Sequence, residues 1–260
     1  MNPLTAVVSL FGYIGEVVLI VAAVIAQLTT RVSSMRSATL AVLGRQIQFT
    51  GLDAVPFAGV LAMFTALSVV AQIQLVGLGQ SELFGKLMVV VMVRELGPII
   101  VALVVLARSG TAIATEMATM RVAGEVEALE HRGIDPFAYL IVPRLGGMAV
   151  SLFCLAQVFI FIAIVGGFIL SSLLVPDAPV FSEYVRLITS QLTWLDALVL
   201  LAKTLIPGLL IGAIACREGL ACGTSYTDVP RATTRAVVRS FIAVFCWNAL
   251  VTTLIYVLTK

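Results

Sequence analysis

The chain has 260 residues, of which 60% are hydrophobic and only 12% charged, and its mean hydropathy is +1.11. A water-soluble globule of this length would need far more polar surface, so the composition describes an integral membrane protein. A net charge of +2 with no basic run excludes nucleic acid as a partner.

The first apolar segment, Leu4 to Leu28, holds Glu16, Gly12 and Gly15. No basic residue precedes it, which argues against a cleavable signal peptide. It can lie along the cytoplasmic leaflet with Glu16 wet, or cross as a sixth span that would put the N-terminus outside; the interfacial helix is the favoured reading.

Crossing roughly 30 Å of hydrocarbon takes about 20 helical residues. Windows of that length give five spans, near 53–76, 87–107, 145–174, 195–215 and 237–258. The expected fold is therefore an all-α integral membrane protein with five transmembrane helices. With the segment before the first span in the cytoplasm, that side holds Arg31, Arg36, Arg45, Arg108, Arg121, Arg132, Arg144, Arg217, Arg231, Arg235 and Arg239. The outside holds only Lys86, Arg186 and Lys260, so the positive-inside bias places the C-terminus outside.

Arg94 and Glu95 stand together within the second span, and Lys203 lies within the fourth. A charge at that depth costs roughly 2.5 to 3.5 kcal/mol on insertion scales, so it is kept for a partner or a polar chamber. Glu95 is the expected neutraliser of Arg94. The third span is longer than a membrane requires and should tilt, bend near Gly166 and Gly167, or project outward. Residues 176–194, with Pro176, Asp177, Pro179, Glu183 and Arg186, read as an external loop with a short amphipathic helix.

Between the second and third spans, Glu116 to Arg132 is helix-forming, with Val122, Val126 and Leu129 on one face and Arg121, Glu125 and Arg132 on another. It ends at Gly133 with Pro136 beyond. The simplest reading is a solvated connector; the sharper one is a docking element for a soluble partner. Gly79 to Lys86 has the wrong spacing for a phosphate-binding loop, with Leu87 where Ser or Thr is needed. There is no HExxH or GxSxG, and His131 reads as a surface residue. Cys154, Cys216, Cys222 and Cys246 lack metal-site spacing. No metal, cofactor or catalytic residue is expected.

The run VRELGPIIVALVVLARSGTAIATEMATMRVAGEVEALEHRGIDPFAYLIVPR, Val93 to Arg144, together with RATTRAVV, Arg231 to Val238, resembles the MlaE/YrbE permease family, the membrane subunits of MCE-type ABC transporters. The likeness covers about residues 45–258. It implies a single permease domain, 1–260, with an N-terminal interfacial region at 1–45, a five-helix core at 53–258 and a coupling helix at 116–133. It implies a homodimer in a bacterial inner membrane with a periplasmic C-terminus, two cytoplasmic ATPase subunits that bind the ATP and Mg, and a periplasmic ring of MCE-domain proteins. The cargo would be a phospholipid moved between inner and outer membranes in support of outer-membrane asymmetry, or a sterol or fatty acid. By position, Arg94, Glu95 and Lys203, with Leu67, Leu75 and Leu78 as acyl-chain contacts, would form a lipid pocket at the dimer interface. Glu116, Arg121, Glu125, Glu127 and Arg132 would couple to the ATPase.

Two departures stand out: Asn248 where relatives often carry an acid, and GTSYTDVP, Gly223 to Pro230, in place of a glycine-rich stretch. An ion-coupled secondary transporter should show internal repeats with broken helices, and none is found. A lipid enzyme would need convergent nucleophile, base or metal residues.

Overall fold

The computed structural model describes residues 3–31, 37–75, 86–174 and 180–258. Within these the chain is helical apart from short turns, without a strand, and five helices are long and apolar enough to cross a membrane. The elements are α1 (Pro3–Arg31), α2 (Ser37–Thr50), α3 (Val55–Leu75), α4 (Lys86–Val122), α5 (Glu125–His131), α6 (Phe137–Leu173), α7 (Phe181–Thr189), α8 (Trp194–Leu220) and α9 (Val229–Leu258). One 3₁₀ turn, Leu52–Ala54, joins α2 to α3, so the first span begins inside the region assigned by sequence to the interface.

Small residues let these helices approach. Ala58, Ala62 and Ala66 form an i, i+4 stripe of α3 that is completely shielded, Ala54 of the preceding turn continues it, and α3 packs mainly on α6. Gly208 of α8 lies so close to α6 that a Cβ there would sit 2.6 Å from Ala149 Cα. Leu145, Met148, Leu152 and Phe159 of α6 fill the centre, and α8 packs against α4, α6 and α9. Without a hydrophobic drive between helices in lipid, such close packing does the holding.

The membrane helices after α3 run past their apolar windows. Hydropathy ends the second span at Ala107, yet α4 continues through Arg108, Glu116 and Arg121 to Val122. The expected single helix 116–133 is therefore two: the end of α4, and α5. Gly124, at φ 73, breaks it, a left-handed conformation that a Cβ would penalise. Gly133, at φ 70, closes α5 through paired bonds from Gly133 N to Glu130 O and Ile134 N to Leu129 O, at 2.9 and 3.0 Å. The expected inner face holds, since Val126 is buried while Val122 and Leu129 pack on apolar neighbours.

α6 is continuous through Gly166 and Gly167. Gly167 instead makes room for Met88 and Tyr184, whose hydroxyl donates to Ile164 O at 3.1 Å. Helix α7 is thereby seated on α6, with Phe168 edge-on to Phe181 and Tyr184 at 5.0 and 5.4 Å. Burial raises the Tyr184 hydroxyl above its ordinary pKa, so it remains a donor.

Candidate functional site

The RELGP sequence, Arg94 to Pro98, sets the site. α4 passes through a π-helical segment, Val89–Leu96, whose widened turn closes with Gly97 N bonding to Met92 O. Such segments leave carbonyls short of donors and recur at functional sites. Pro98 compounds this because it has no amide hydrogen for the Arg94 carbonyl four residues back. Lys203 of α8 supplies the missing donor, with Nζ 2.7 Å from Arg94 O.

The same ammonium donates to Glu95 Oε1 at 2.8 Å and to Thr252 Oγ1 of α9 at 2.7 Å. All three of its donors are used, and Lys203 is 0% exposed. Thr252 passes its own hydrogen to the Glu95 carboxylate, at 3.0 and 3.2 Å from the two oxygens. Three helices thus meet on one carboxylate.

Glu95 does not neutralise Arg94. Adjacent residues on a helix point about 100° apart, so they cannot face each other. Arg94 instead reaches Asp196 of α8, with Nε 2.5 Å from Oδ1 and Nη2 3.1 Å from Oδ2. Asp196 is buried and also accepts from Thr193 N at 2.8 Å, so it caps α8 while clamping Arg94. The four charges form two crossed pairs with no net charge, which is the condition for keeping ions in low dielectric. Arg94 and Glu95 keep roughly a third of their side-chain surface exposed, whereas Lys203 and Asp196 are sealed.

Glu95 opens onto a depression of about 370 Å³ between α4 and α9, lined also by Ile99, Phe245, Asn248 and Thr252. It adjoins a second, apolar one of about 450 Å³ lined by Ala249, Leu250, Thr253, Leu254 and Val257. Ala249 and Thr253 belong to both, so the face of α9 carries one trough that is polar at Glu95 and apolar toward the C-terminus. Asn248 lies in it, beside Glu95.

Leu67 and Leu75 of α3 are exposed, but neither lines this trough within the protomer, because α3 packs on α6. Leu78 lies outside the described residues. Away from the trough, Glu116 is held by Arg144, a buried α6 residue, at 2.7 Å, and Arg121 pairs with Glu127. Glu125 and Arg132 are exposed at the two ends of α5.

Sequence reasoning missed Asp196 and Thr252. The first had a signal, since Thr193 and Asp196 bracket a capping box at the start of an apolar run. Thr252 had none, because a threonine in a membrane helix ordinarily bonds its own backbone.

The sequence profile of the Permease MlaE family matches residues 43–254. A probable ABC transporter permease protein of Rickettsia typhi is 30% identical over 84% of this chain and 84% of its own length. One from Synechocystis is 32% identical, covering 78% and 77%. The Arabidopsis thaliana protein TRIGALACTOSYLDIACYLGLYCEROL 1, chloroplastic, is 32% identical over 65% of this chain and 47% of its own.

Proposed function

This chain belongs to the MlaE permease family, whose similar relatives are ABC transporter permeases, and on that premise we propose that it carries phospholipids across the inner membrane of a bacterium. The permease role makes it a membrane subunit of a transporter, and hydrolysis of ATP belongs to a partner. We place two copies side by side, two ATPase subunits on the cytoplasmic face and an MCE-domain ring outside, with the C-terminus periplasmic.

The observation that carries this reading is the trough on α4 and α9, polar at Glu95 and apolar beyond it. A diacyl lipid has that polarity in that order. Its tails would lie along Leu250, Leu254 and Val257, and its headgroup at the floor. Arg94 lines neither half of the trough, but about a third of its side chain is exposed and it is bound to a single carboxylate, so it is the cation proposed to meet a phosphate at the rim. Lys203 contributes indirectly, by holding Glu95 and the α4 backbone. Leu67 and Leu75 would close the trough from the second copy. A relative named for a galactosylated diacylglycerol favours diacyl lipids over sterols.

The short helix α5, carrying Glu125 and Glu127, with Arg132 just past its end and Arg121 at the preceding helix end, is the proposed seat of the ATPase. Glu116 would act from behind it, through Arg144. ATPase closure pushes α5 and the cytoplasmic end of α4, and α4 carries that motion to Glu95. Pull-down from membranes tests the assembly: an ATPase and phospholipid should come down with the chain. Glu95→Lys should abolish lipid transfer; normal transfer in that variant, or purification without ATPase or lipid, would contradict the reading.

A further inference from the structure

A second charged cluster sits at the cytoplasmic base, where α8 turns into α9. Glu218 is 2% exposed and accepts from three arginines: Arg217 Nη1 at 2.8 Å, Arg239 Nη1 at 2.5 Å and Arg235 Nε at 3.4 Å. Arg217 turns its other edge to α1, where Nη2 and Nε lie 2.6 and 2.7 Å from Glu16 Oε2. The Tyr13 ring lies against the guanidinium groups of both Arg217 and Arg239, at 4.1 and 4.4 Å from its centroid.

Three cations face two carboxylates here, and the surplus positive charge rests on the aromatic face. Burial, with the Glu218 charge behind it, pushes the Tyr13 hydroxyl up to about 12, so the ring is neutral at physiological pH. A helix serving only to anchor the chain in a leaflet would need no more than its apolar face, which Val17 and Val24 already bury against the bundle. Tyr13 and Glu16 add a directed grip on two arginines from two other helices.

We infer that Tyr13 and Glu16 are positioning residues, and that α1 is a strap holding the α8–α9 junction at a fixed angle. Arg217 and Arg239 are each held from both sides, by Glu218 within the junction and by α1 outside it. What the junction carries gives the strap its reach. Cys222, Val229 and Ala232 pack on Ala118 and Val122 at the end of α4, and Thr115 and Thr233 share a hydrogen bond of 2.9 Å. That end of α4 leads directly into α5. A role for the strap in transport rests on the proposed seat of the ATPase; the strap itself does not.

Coupling between two parts is reciprocal, so loosening α1 must loosen the junction. The test is hydrogen exchange on the full chain in lipid nanodiscs, comparing wild type with Tyr13→Leu, Tyr13→Phe and Glu16→Gln. Tyr13→Leu should speed exchange about tenfold both in α1 and in the junction amides 222–228. Tyr13→Phe, which keeps the ring, should stay within about twofold of wild type, and Glu16→Gln should fall between them. Should Tyr13→Leu fail to fold, Glu16→Gln carries the test, with both segments speeding together. Faster exchange in α1 with an unchanged junction would overturn the inference, as would a Tyr13→Phe profile matching Tyr13→Leu. The readout involves neither lipid transfer nor ATP, so it stands or falls apart from the transport reading.

Discussion

Lys203 Nζ lies 2.8 Å from Glu95 Oε1 and 2.7 Å from the Arg94 carbonyl that Pro98 leaves without a donor. One side chain thus repairs the backbone at a helix irregularity and fixes the acid at the polar end of the trough. The energetic consequence is asymmetric. Losing one partner of a buried pair strands a charge at a cost of about 3 to 5 kcal/mol, whereas replacing both with apolar groups is often neutral. Lys203→Met should therefore lower the thermal unfolding temperature in detergent sharply, while Lys203→Met with Glu95→Leu should recover most of the loss. A double variant as unstable as the single one would mean that the lysine acts through its backbone bond alone.

Asp196 performs two tasks, capping α8 and clamping Arg94. Asp196→Asn keeps a cap acceptor and removes the charge that occupies Arg94. Purified Asp196→Asn protein should retain more anionic lipid than wild type by mass spectrometry, with zwitterionic lipid less affected. An unchanged lipid profile would place Arg94 outside headgroup contact.

The break between α4 and α5 depends on Gly124 at φ 73. A side chain in that conformation costs about 1 to 2 kcal/mol, less for Asn. Gly124→Val should destabilise by about that amount or straighten the junction, and Gly124→Asn should be nearly silent. Circular dichroism melts report the first effect, and retention of a co-expressed ATPase in pull-downs reports the second.

Close approach of α8 to α6 at Gly208 leaves no room for a Cβ against the Ala149 backbone. Because backbone cannot step aside as a flexible side chain can, Gly208→Val should overpack the seam and cost about 1 to 3 kcal/mol. At Gly167 the obstructing groups are side-chain ends and not backbone, the flexible Met88 and the hydroxyl of Tyr184, so Gly167→Ala should cost less, with part of its cost in the Tyr184 bond to Ile164 O. Thermal melts of the two variants check the order.

Hydropathy located the five membrane helices because burial in lipid demands long apolar runs, and the short amphipathic helix α7 followed from its charges between turns. Helix ends were less legible. A window closes at the first charged residues, whereas the backbone of α4 needs its i→i−4 bonds and continues past Arg108 to the glycine that stops it. The site was half legible. That Arg94, Glu95 and Lys203 needed partners followed from their depth; which partners did not, because Lys203 and Glu95 are 108 residues apart. Only the packing of α8 against α4 and α9 brings Asp196 and Thr252 to them.

The central claim is that the trough running from Glu95 to Val257 seats the transported lipid. A photo-crosslinking residue at Ala249, which lines both halves of the trough, tests it in membranes against one at Phe161, which is exposed on α6. The account predicts a phospholipid adduct at Ala249 that rises or falls with ATP supplied to the assembled complex, and an ATP-indifferent background at Phe161. Equal labelling at both positions, unaltered by ATP, would contradict it.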